Sequence, residues 1–448
     1  MKKIFAKKHL FYFYLFIISF LIIIFLLSAL EITIRALYGK ELLLRRSSLW
    51  IVHKHLWDSE HKMFTETSPG IYQTNMEDNP GTAFQSFAMP KKDKFRVFCI
   101  GGSSTQGFPC KPKDSFPAKL QKYLVEHSSQ EVEVINAGQE AKSSGSFIKR
   151  IEEVMLYDAD CIILYAGHNE YGYYFWAKEI LDTHPLILKI DLMLNNFYSY
   201  RLLSRFLKRD GIIDKDSNNL WMKYPRRQLS AYTQSPIDEY KNSIPLIHWD
   251  KFVKNELFLC EETFRENLIQ MRILLQKANI PFYVCTVVSN LKDFPPFISL
   301  HRPNISLRDL NKYKKMLQEA KNLFNSGLYY RSIEKLLDLR KLDDKYAETY
   351  FLLGKSYLYL NKYELALKNF ILARDFSPAY APFQRAPSSL NQIIRTVCKK
   401  YNIFLIDIEK EFHSKTIPGN DLFSDSLHPN ELGYDTIAEI ISRKIVIP

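Results

Sequence analysis

Cysteine is scarce and unpaired in this sequence: six among 448 residues, with no CxxC doublet. That excludes a disulfide-stapled scaffold, a redox doublet and a thiolate zinc site of ordinary spacing. Cys99, Cys161 and Cys285 lie inside apolar runs (RVFCI, DCIILY, FYVCTVV), where a thiol behaves as a small buried hydrophobe. Cys110, Cys260 and Cys398 are scattered. Acidic residues are also short, 49 Asp and Glu against 61 Lys and Arg, which leaves a formal charge of +12. The basic excess is spread along the chain, and zinc-finger spacing, RNP-like aromatic strands and leucine-zipper heptads are all missing, so nucleic acid is excluded as a partner. The charge reads instead as a solvated surface, or one that faces an anionic membrane. What the chain does have is core material: 46% hydrophobic and 14% aromatic residues exclude a disordered or collagen-like protein. The length allows about two to three domains.

His9 to Leu30 (HLFYFYLFIISFLIIIFLLSAL) is a run of 22 residues without an acidic or strongly basic side chain. At about 1.5 Å per residue it reaches about 33 Å, enough to cross the hydrocarbon core of a bilayer. A cleavable signal has a shorter apolar region and a small-residue cleavage site, which this stretch lacks. A buried soluble helix would need a polar face, and none is present. Lys2, Lys3, Lys7 and Lys8 precede the run and predict a cytoplasmic N-terminus with the remainder exported. Arg35, Lys40, Arg45 and Arg46 beyond the span oppose that assignment, although Glu31 and Glu41 sit among them.

A stretch to about Lys94 reads as a linker and lead-in, and after it an α/β rhythm begins. Strands are expected at Phe95–Gly102, Val132–Gly138, Ala159–Gly167, Pro281–Asn290 and Ile403–Ile408. Helices are expected at Ser115–Glu126, Ser144–Tyr157 and Glu431–Lys444. Apolar strands alternating with helices predict a parallel sheet covered on both faces, and such sheets bind ligands at the carboxyl ends of their strands. The first strand runs into Gly101-Gly102-Ser103-Ser104-Thr105, where a serine on a tight turn stands near free backbone N–H groups. The second ends in Asn136-Ala137-Gly138, and its glycine allows a backbone N–H to approach a ligand closely. The third leads to Gly167-His168-Asn169-Glu170, with a side-chain amide donor. After the fifth comes Asp425-Ser426-Leu427-His428, in which a carboxylate can orient an imidazole within one turn of chain.

These four blocks in this order resemble the GDSL/SGNH hydrolase superfamily, over about Phe95–Asn290 and Ala381–Pro448. The resemblance implies a three-layer α/β sandwich with a parallel flavodoxin-like sheet. It also implies Ser103 as nucleophile, His428 as base with Asp425 its partner, and an oxyanion hole made by Ser103, Gly138 and Asn169. No cofactor or metal is implied. The first block reads GGSS rather than GDSL, which leaves Ser104 as a rival nucleophile. The third ends in Glu170 where Asp is common, which should alter loop bonding rather than chemistry. His168, by position at the pocket mouth, is a candidate substrate contact, with a local structural hydrogen bond as the other reading. His53, His55 and His61 form no closed metal-ligand set.

Ala347–Tyr380 carries Tyr350, Leu353, Gly354, Tyr357, Ala366, Phe370, Ala373 and Pro378 where the 34-residue tetratricopeptide pattern wants them, and Tyr313–Tyr346 reads as a degenerate first copy. Two copies are too few to stand alone, so they should pack on the catalytic domain or on the helix near Ser388–Lys400. Such repeats make a protein partner possible. Fragments such as YAGHNEYG, VVSNLKDFPP and NQIIRTV resemble bacterial membrane-anchored GDSL-like proteins that carry these repeats. A second insertion follows Glu170, in which Ile190–Arg209 reads either as a helix on the membrane surface or as core packing, and Asp210–Ser235 reads as a mobile segment.

The expected organisation is therefore a stub and anchor (1–30), a linker and lead-in (31–94), a first hydrolase part (95–300, with an insertion at 171–254), repeats (305–380) and a second hydrolase part (381–448). The expected function is an exported, membrane-tethered serine esterase or O-acyltransferase acting on an ester-bearing envelope glycan or lipid. The alternative is a non-catalytic envelope assembly protein that binds a partner through the repeats.

Overall fold

A computed structural model describes residues 2–42, 62–170, 258–377 and 385–447, apart from positions 80, 141, 297, 298, 303 and 304, together with 194, 197, 199, 200, 202 and 203. The chain divides into two compact units, residues 1–52 with 183–227, and residues 53–182 with 228–448.

In the first unit, helix α1 runs Lys2–Leu42 without a break. Within it Ile17–Leu37 is, by length and composition, long and apolar enough to cross a membrane, a property that signal sequences near an N-terminus share. The expected boundary at residue 30 does not interrupt the helix. Glu31 and Arg35 pair one turn apart at 2.8 Å, which carries the helix past the apolar run. Glu31 also accepts the N–H and hydroxyl of Ser199, each at 2.8 Å. Most of the expected Ile190–Arg209 helix lies outside the described residues, as do the Asp210–Ser235 segment and His53, His55 and His61.

The second unit opens with three short strands, β1 (Phe64–Ser68), β2 (Ile71–Thr74) and β3 (Ser86–Ala88), paired antiparallel. The described part of the expected linker is thus folded. Its polar face reads as linker in the sequence, but Phe64 and Phe87 are buried in an aromatic cluster with Tyr72, Phe98 and Tyr157. Each buried ring contributes about 1.5–3 kcal/mol. Arg96, fully buried on the first core strand, ties this sheet down by donating to Ala88 O (2.7 Å), Tyr157 O (2.9 Å) and Glu133 Oε2 (2.6 Å).

The core sheet is parallel and consists of β4 (Phe95–Gly101), β5 (Val132–Gly138), β6 (Cys161–Tyr165), β7 (Phe282–Cys285) and β8 (Phe404–Ile406), in the order β5-β4-β6-β7-β8. Numbered among themselves, the five strands read 2-1-3-4-5, the flavodoxin-like order. Helices α3 (Phe116–His127) and α12 (Glu431–Ser442) pack together, as do α4 (Ser144–Val154), α5 (Phe258–Lys277) and α10 (Ser388–Tyr401). Right-handed crossovers put these two groups on opposite faces, giving three layers. The last strands are shorter than expected. Beyond Cys285 the backbone of Val287 pairs with the Asn391 amide (2.9 and 2.8 Å) rather than with a strand, and Asp407 turns aside to cap helix α11 (Ile408–Lys415).

Among the described residues, outer strand β5 has no strand beyond it. Along that side the Gln121 amide bonds Val132 O (2.8 Å) and Val134 N (2.6 Å), and the Gln85 amide bonds Asn136 O (2.9 Å) and Asn136 N (2.8 Å).

Between β7 and α10 the chain inserts two helical hairpins: α6 (Leu307–Asn325) with α7 (Tyr329–Leu342), and α8 (Ala347–Tyr359) with α9 (Tyr363–Asp375). Gly354 permits the second pair to close, since a Cβ there would stand 2.7 Å from the Phe370 ring. The hairpins pack on the parts of this unit that flank them in sequence, as expected. Ala366 and Phe370 share a buried cluster with Leu291 and Ile417. Arg374 bonds Glu409 (3.2 Å) and the Ser388 hydroxyl (2.7 Å).

Candidate active site

The order of the parallel strands reverses between β4 and β6, and the crevice beyond their carboxyl ends is where such sheets take ligands. Out of β4 the chain turns through Gly101 and Gly102 into the four-residue helix α2 (Ser103–Gln106). Only glycine fits at 101, where a Cβ would fall 2.1 Å from Thr105 Oγ1 and 2.2 Å from Tyr165 O. This crowding sharpens the turn and presents Ser103 at its apex, while Ser104 is buried. Ser103 Oγ lies 2.8 Å from His428 Nε2, so Ser103 rather than its neighbour meets the base.

His428 comes from the loop before α12. Asn430 caps that helix by accepting Gly433 N–H at 3.0 Å, a contribution of about 1 kcal/mol, and the loop closes through the Phe423–Pro429 bridge. His428 Nδ1 donates to Asp425 Oδ2 at 2.6 Å, while Asp425 Oδ1 accepts the N–H groups of Leu427 (2.9 Å) and His428 (2.8 Å). Burial by itself would raise the Asp425 pKa. The bonds from the His428 ring and the two N–H groups outweigh it and hold the carboxyl below its ordinary range. With its Nδ1 proton committed to Asp425, His428 leaves Nε2 as an acceptor for the serine hydroxyl. The edge of the Phe108 ring lies against the imidazole, centroids 4.8 Å apart.

Asn169 stands beside the nucleophile turn. Its Nδ2 would lie 3.0 Å from a Cβ on Gly102, and it donates one hydrogen to Lys142 O at 2.9 Å, which leaves the second for a ligand. Ser103 N–H lies in the first turn of α2, where intrahelical acceptors do not reach.

Two expected roles are corrected. Gly138 N–H is not presented to a ligand, because it donates to Asn136 Oδ1 at 2.9 Å. Glycine is required there by packing: a Cβ would fall 2.3 Å from Gln106 N in α2. His168 is a structural residue. Its Nε2 donates to Val288 O and its Nδ1 accepts Ala386 N–H, both at 3.1 Å, so neither ring nitrogen is left for substrate. Burial, followed by the neighbouring His428, pushes its pKa down to about 3, consistent with a neutral ring.

The Glu170 carboxylate accepts Ser144 N–H (2.8 Å) and Ser144 Oγ–H (2.6 Å) at the start of α4. Sequence reasoning missed Asn290, beyond β7, which donates Nδ2 to Asp425 O (3.2 Å) and N–H to Ser426 O (3.0 Å) and so braces the base loop. The signal available was an asparagine at a strand's carboxyl end. Among the described residues, no group of His, Cys, Asp and Glu is placed to hold a metal ion.

No family model matches the chain, and no curated protein matches it. The chain is similar to solved structures of a lipase/acylhydrolase from Enterococcus faecalis (14% identity, 78% of this chain and 94% of that one, TM-score 0.34). Others are an acetyl xylan esterase (14% identity, 78% and 100%, TM-score 0.32) and a member of the lipolytic protein G-D-S-L family from Veillonella parvula DSM 2008 (12% identity, 78% and 96%, TM-score 0.30). In the order of its parallel strands and in the blocks that supply Ser103, Asn169 and the Asp425–His428 pair, the chain resembles the GDSL/SGNH hydrolases.

Proposed function

We propose that this protein is a membrane-tethered serine hydrolase that cleaves or transfers an acyl group through a covalent ester on Ser103. The observation that carries the reading is the unbroken relay from Ser103 Oγ to His428 Nε2 (2.8 Å) and from His428 Nδ1 to Asp425 Oδ2 (2.6 Å). A serine hydroxyl is a weak nucleophile, and His428 takes its proton as Oγ attacks the substrate carbonyl. Negative charge then builds on the carbonyl oxygen and meets Ser103 N–H and the Asn169 amide, each such donor being worth about 10²–10³ in rate. Asp425 stabilises the imidazolium until it returns the proton to the leaving alcohol and the ester bond breaks. Water or a second hydroxyl then repeats the sequence in reverse. Water as acceptor gives an esterase, and a sugar hydroxyl gives an O-acyltransferase.

The apolar stretch of α1 and the lysines that precede it support an anchor whose N-terminus is cytoplasmic and whose catalytic unit faces the envelope, with an ester-bearing glycan or lipid as substrate. The tetratricopeptide spacing of the two hairpins supports a protein partner there. The test is hydrolysis of short-chain nitrophenyl esters by the detergent-solubilised full chain. Ser103→Ala should lower the rate by at least about 10⁴. Equal turnover by the parent and the variant would remove Ser103 from the mechanism. A parent that never reacts with a fluorophosphonate would favour the non-catalytic assembly role instead.

A further inference from the structure

The two loops that carry the site are held from behind by the residues that follow the helical hairpins. Arg385 Nη1 donates to the carbonyl oxygens of Asn290 (2.7 Å) and Phe294 (2.9 Å), and its guanidinium lies 5.6 Å from the Phe294 ring centroid. Asn290 in turn grips the base loop through Asp425 O and Ser426 O. The next residue, Ala386, donates its N–H to His168, and His168 immediately precedes Asn169. Two residues further on, Ser388 is locked at two points: its N–H donates to Asp375 Oδ1 (3.0 Å) and its hydroxyl oxygen accepts from Arg374 Nη2 (2.7 Å). Arg385 and Ala386 are both buried.

Filling space alone does not account for an arginine at this position. Among the described residues its hydrogen bonds go to the backbone oxygens of Asn290 and Phe294, and burial pushes its pKa down to about 9, the mark of a charge kept at a cost. An apolar side chain would pack there without that cost. What the guanidinium supplies, and an apolar group cannot, is one donor nitrogen shared by two carbonyls of the loop behind Asp425.

We propose that Arg385 is a positioning residue for acyl transfer. Through Asn290 it sets where the Asp425–His428 pair stands against Ser103, while its neighbour Ala386 sets His168 and, with it, the Asn169 loop. The two halves of the site, the base and the oxyanion donor, are thereby aligned by one short strap. This inference rests on the reading of Ser103 as an acyl-transfer nucleophile. Misplacement of reacting groups by about 1 Å costs about 10²-fold in rate, so a slack strap is expected to slow chemistry more than binding.

The experiment uses the full chain in detergent with Arg385→Lys and Arg385→Ala. It measures kcat and KM on a nitrophenyl ester, the rate at which a fluorophosphonate labels Ser103, and the unfolding temperature. Arg385→Lys keeps the charge and stem but has no planar fork. It should lower kcat and the labelling rate about 10-fold, with KM within about twofold and the unfolding temperature unchanged. Arg385→Ala should lose about 10²-fold in kcat. If Arg385→Ala fails to fold, the lysine variant decides. A lysine variant with parental kcat and labelling rate overturns the positioning role, as does a loss that appears in KM alone or scales with a fall in unfolding temperature. A parent chain that neither turns over the ester nor labels overturns the serine-hydrolase reading itself, and the two failures are told apart by that control.

Discussion

Asp425 and Glu170 each sit within three residues of a candidate site residue, His428 and Asn169, and their surroundings send them in opposite directions. Asp425 accepts one imidazole N–H and two backbone N–H groups, which hold it ionised against the pull of burial. Glu170 is more deeply buried, takes the N–H and hydroxyl of Ser144 among the described residues, and burial pushes it up to about 7. A carboxylate that must stabilise a passing positive charge needs donors that favour its charged form. One that only ties a loop to the start of a helix does equally well when protonated. Sequence position near a catalytic residue therefore says little about the role of a carboxyl group, whereas the count of donors around it says a great deal.

The comparison breaks most sharply at Asp425. Asp425→Asn keeps the size of the side chain but can turn an N–H toward His428, which reverses the tautomer. Ester turnover at neutral pH should fall about 10⁴-fold while the fold survives, a result read from steady-state rates beside a circular-dichroism melt. A loss below tenfold would mean that the 2.6 Å contact is not part of the chemistry.

On the other loop the expected effect is smaller. Asn169→Ala removes an oxyanion donor and should cost about 10²–10³ in kcat at nearly constant KM. Its contrast is Gly138→Ala, whose Cβ would press on the α2 backbone and whose main effect should be about 1–3 kcal/mol of lost stability, measured by denaturant titration. Should Gly138→Ala keep its stability but lose turnover, the N–H of Gly138 would be working on substrate after all.

The smallest effect, and the one that sharpens the comparison, is Glu170→Gln. A carboxyl group raised from about 4.5 to about 7 stabilises the fold fully below its unfolded value and loses that contribution as the pH rises to about 7. Relative to the parent, the unfolding temperature of Glu170→Gln should therefore climb between about pH 4.5 and 7 and then level off, with Ser103 labelling little changed. Asp425 contributes in the opposite sense: its depressed pKa gives stability that is present above the unfolded value and is lost on acidification. A pH-independent difference for Glu170→Gln would show that Glu170 stays ionised in the folded chain.

Much of this site was legible in the sequence because its chemistry is local to four short blocks. Gly-Gly-Ser after an apolar strand and Asn169 after another each announce a strand end with a polar group to present, and Asp425 three residues before His428 announces a carboxylate–imidazole pair. The parallel sheet was legible for the same reason, as apolar runs alternating with amphipathic helices, and the hairpins from residues recurring at the 34-residue period. What stayed hidden is set by pairing across long separations. Residues 64–88 look polar and turn-rich, and the distant Phe98 and Tyr157 complete the cluster in which Phe64 and Phe87 are buried. Gly138 shares its motif with an oxyanion donor, but Asn136 two residues earlier claims its N–H, which spacing cannot reveal. The strand expected through Asn290 stops at Cys285 because the Asn391 side chain, over a hundred residues away, takes the backbone of Val287.

The glutamine amides along β5 carry a consequence for how this protein behaves among its own copies. A parallel sheet with a bare flank is a template on which an unfolded neighbour can add a ladder and seed aggregation. Here Gln121 and Gln85 stand in for a neighbouring strand, so that an incoming chain finds Val132 O, Val134 N–H and both the N–H and the carbonyl of Asn136 already bonded. Such a molecule is protected from stacking along this flank by two side chains rather than by an extra element of fold.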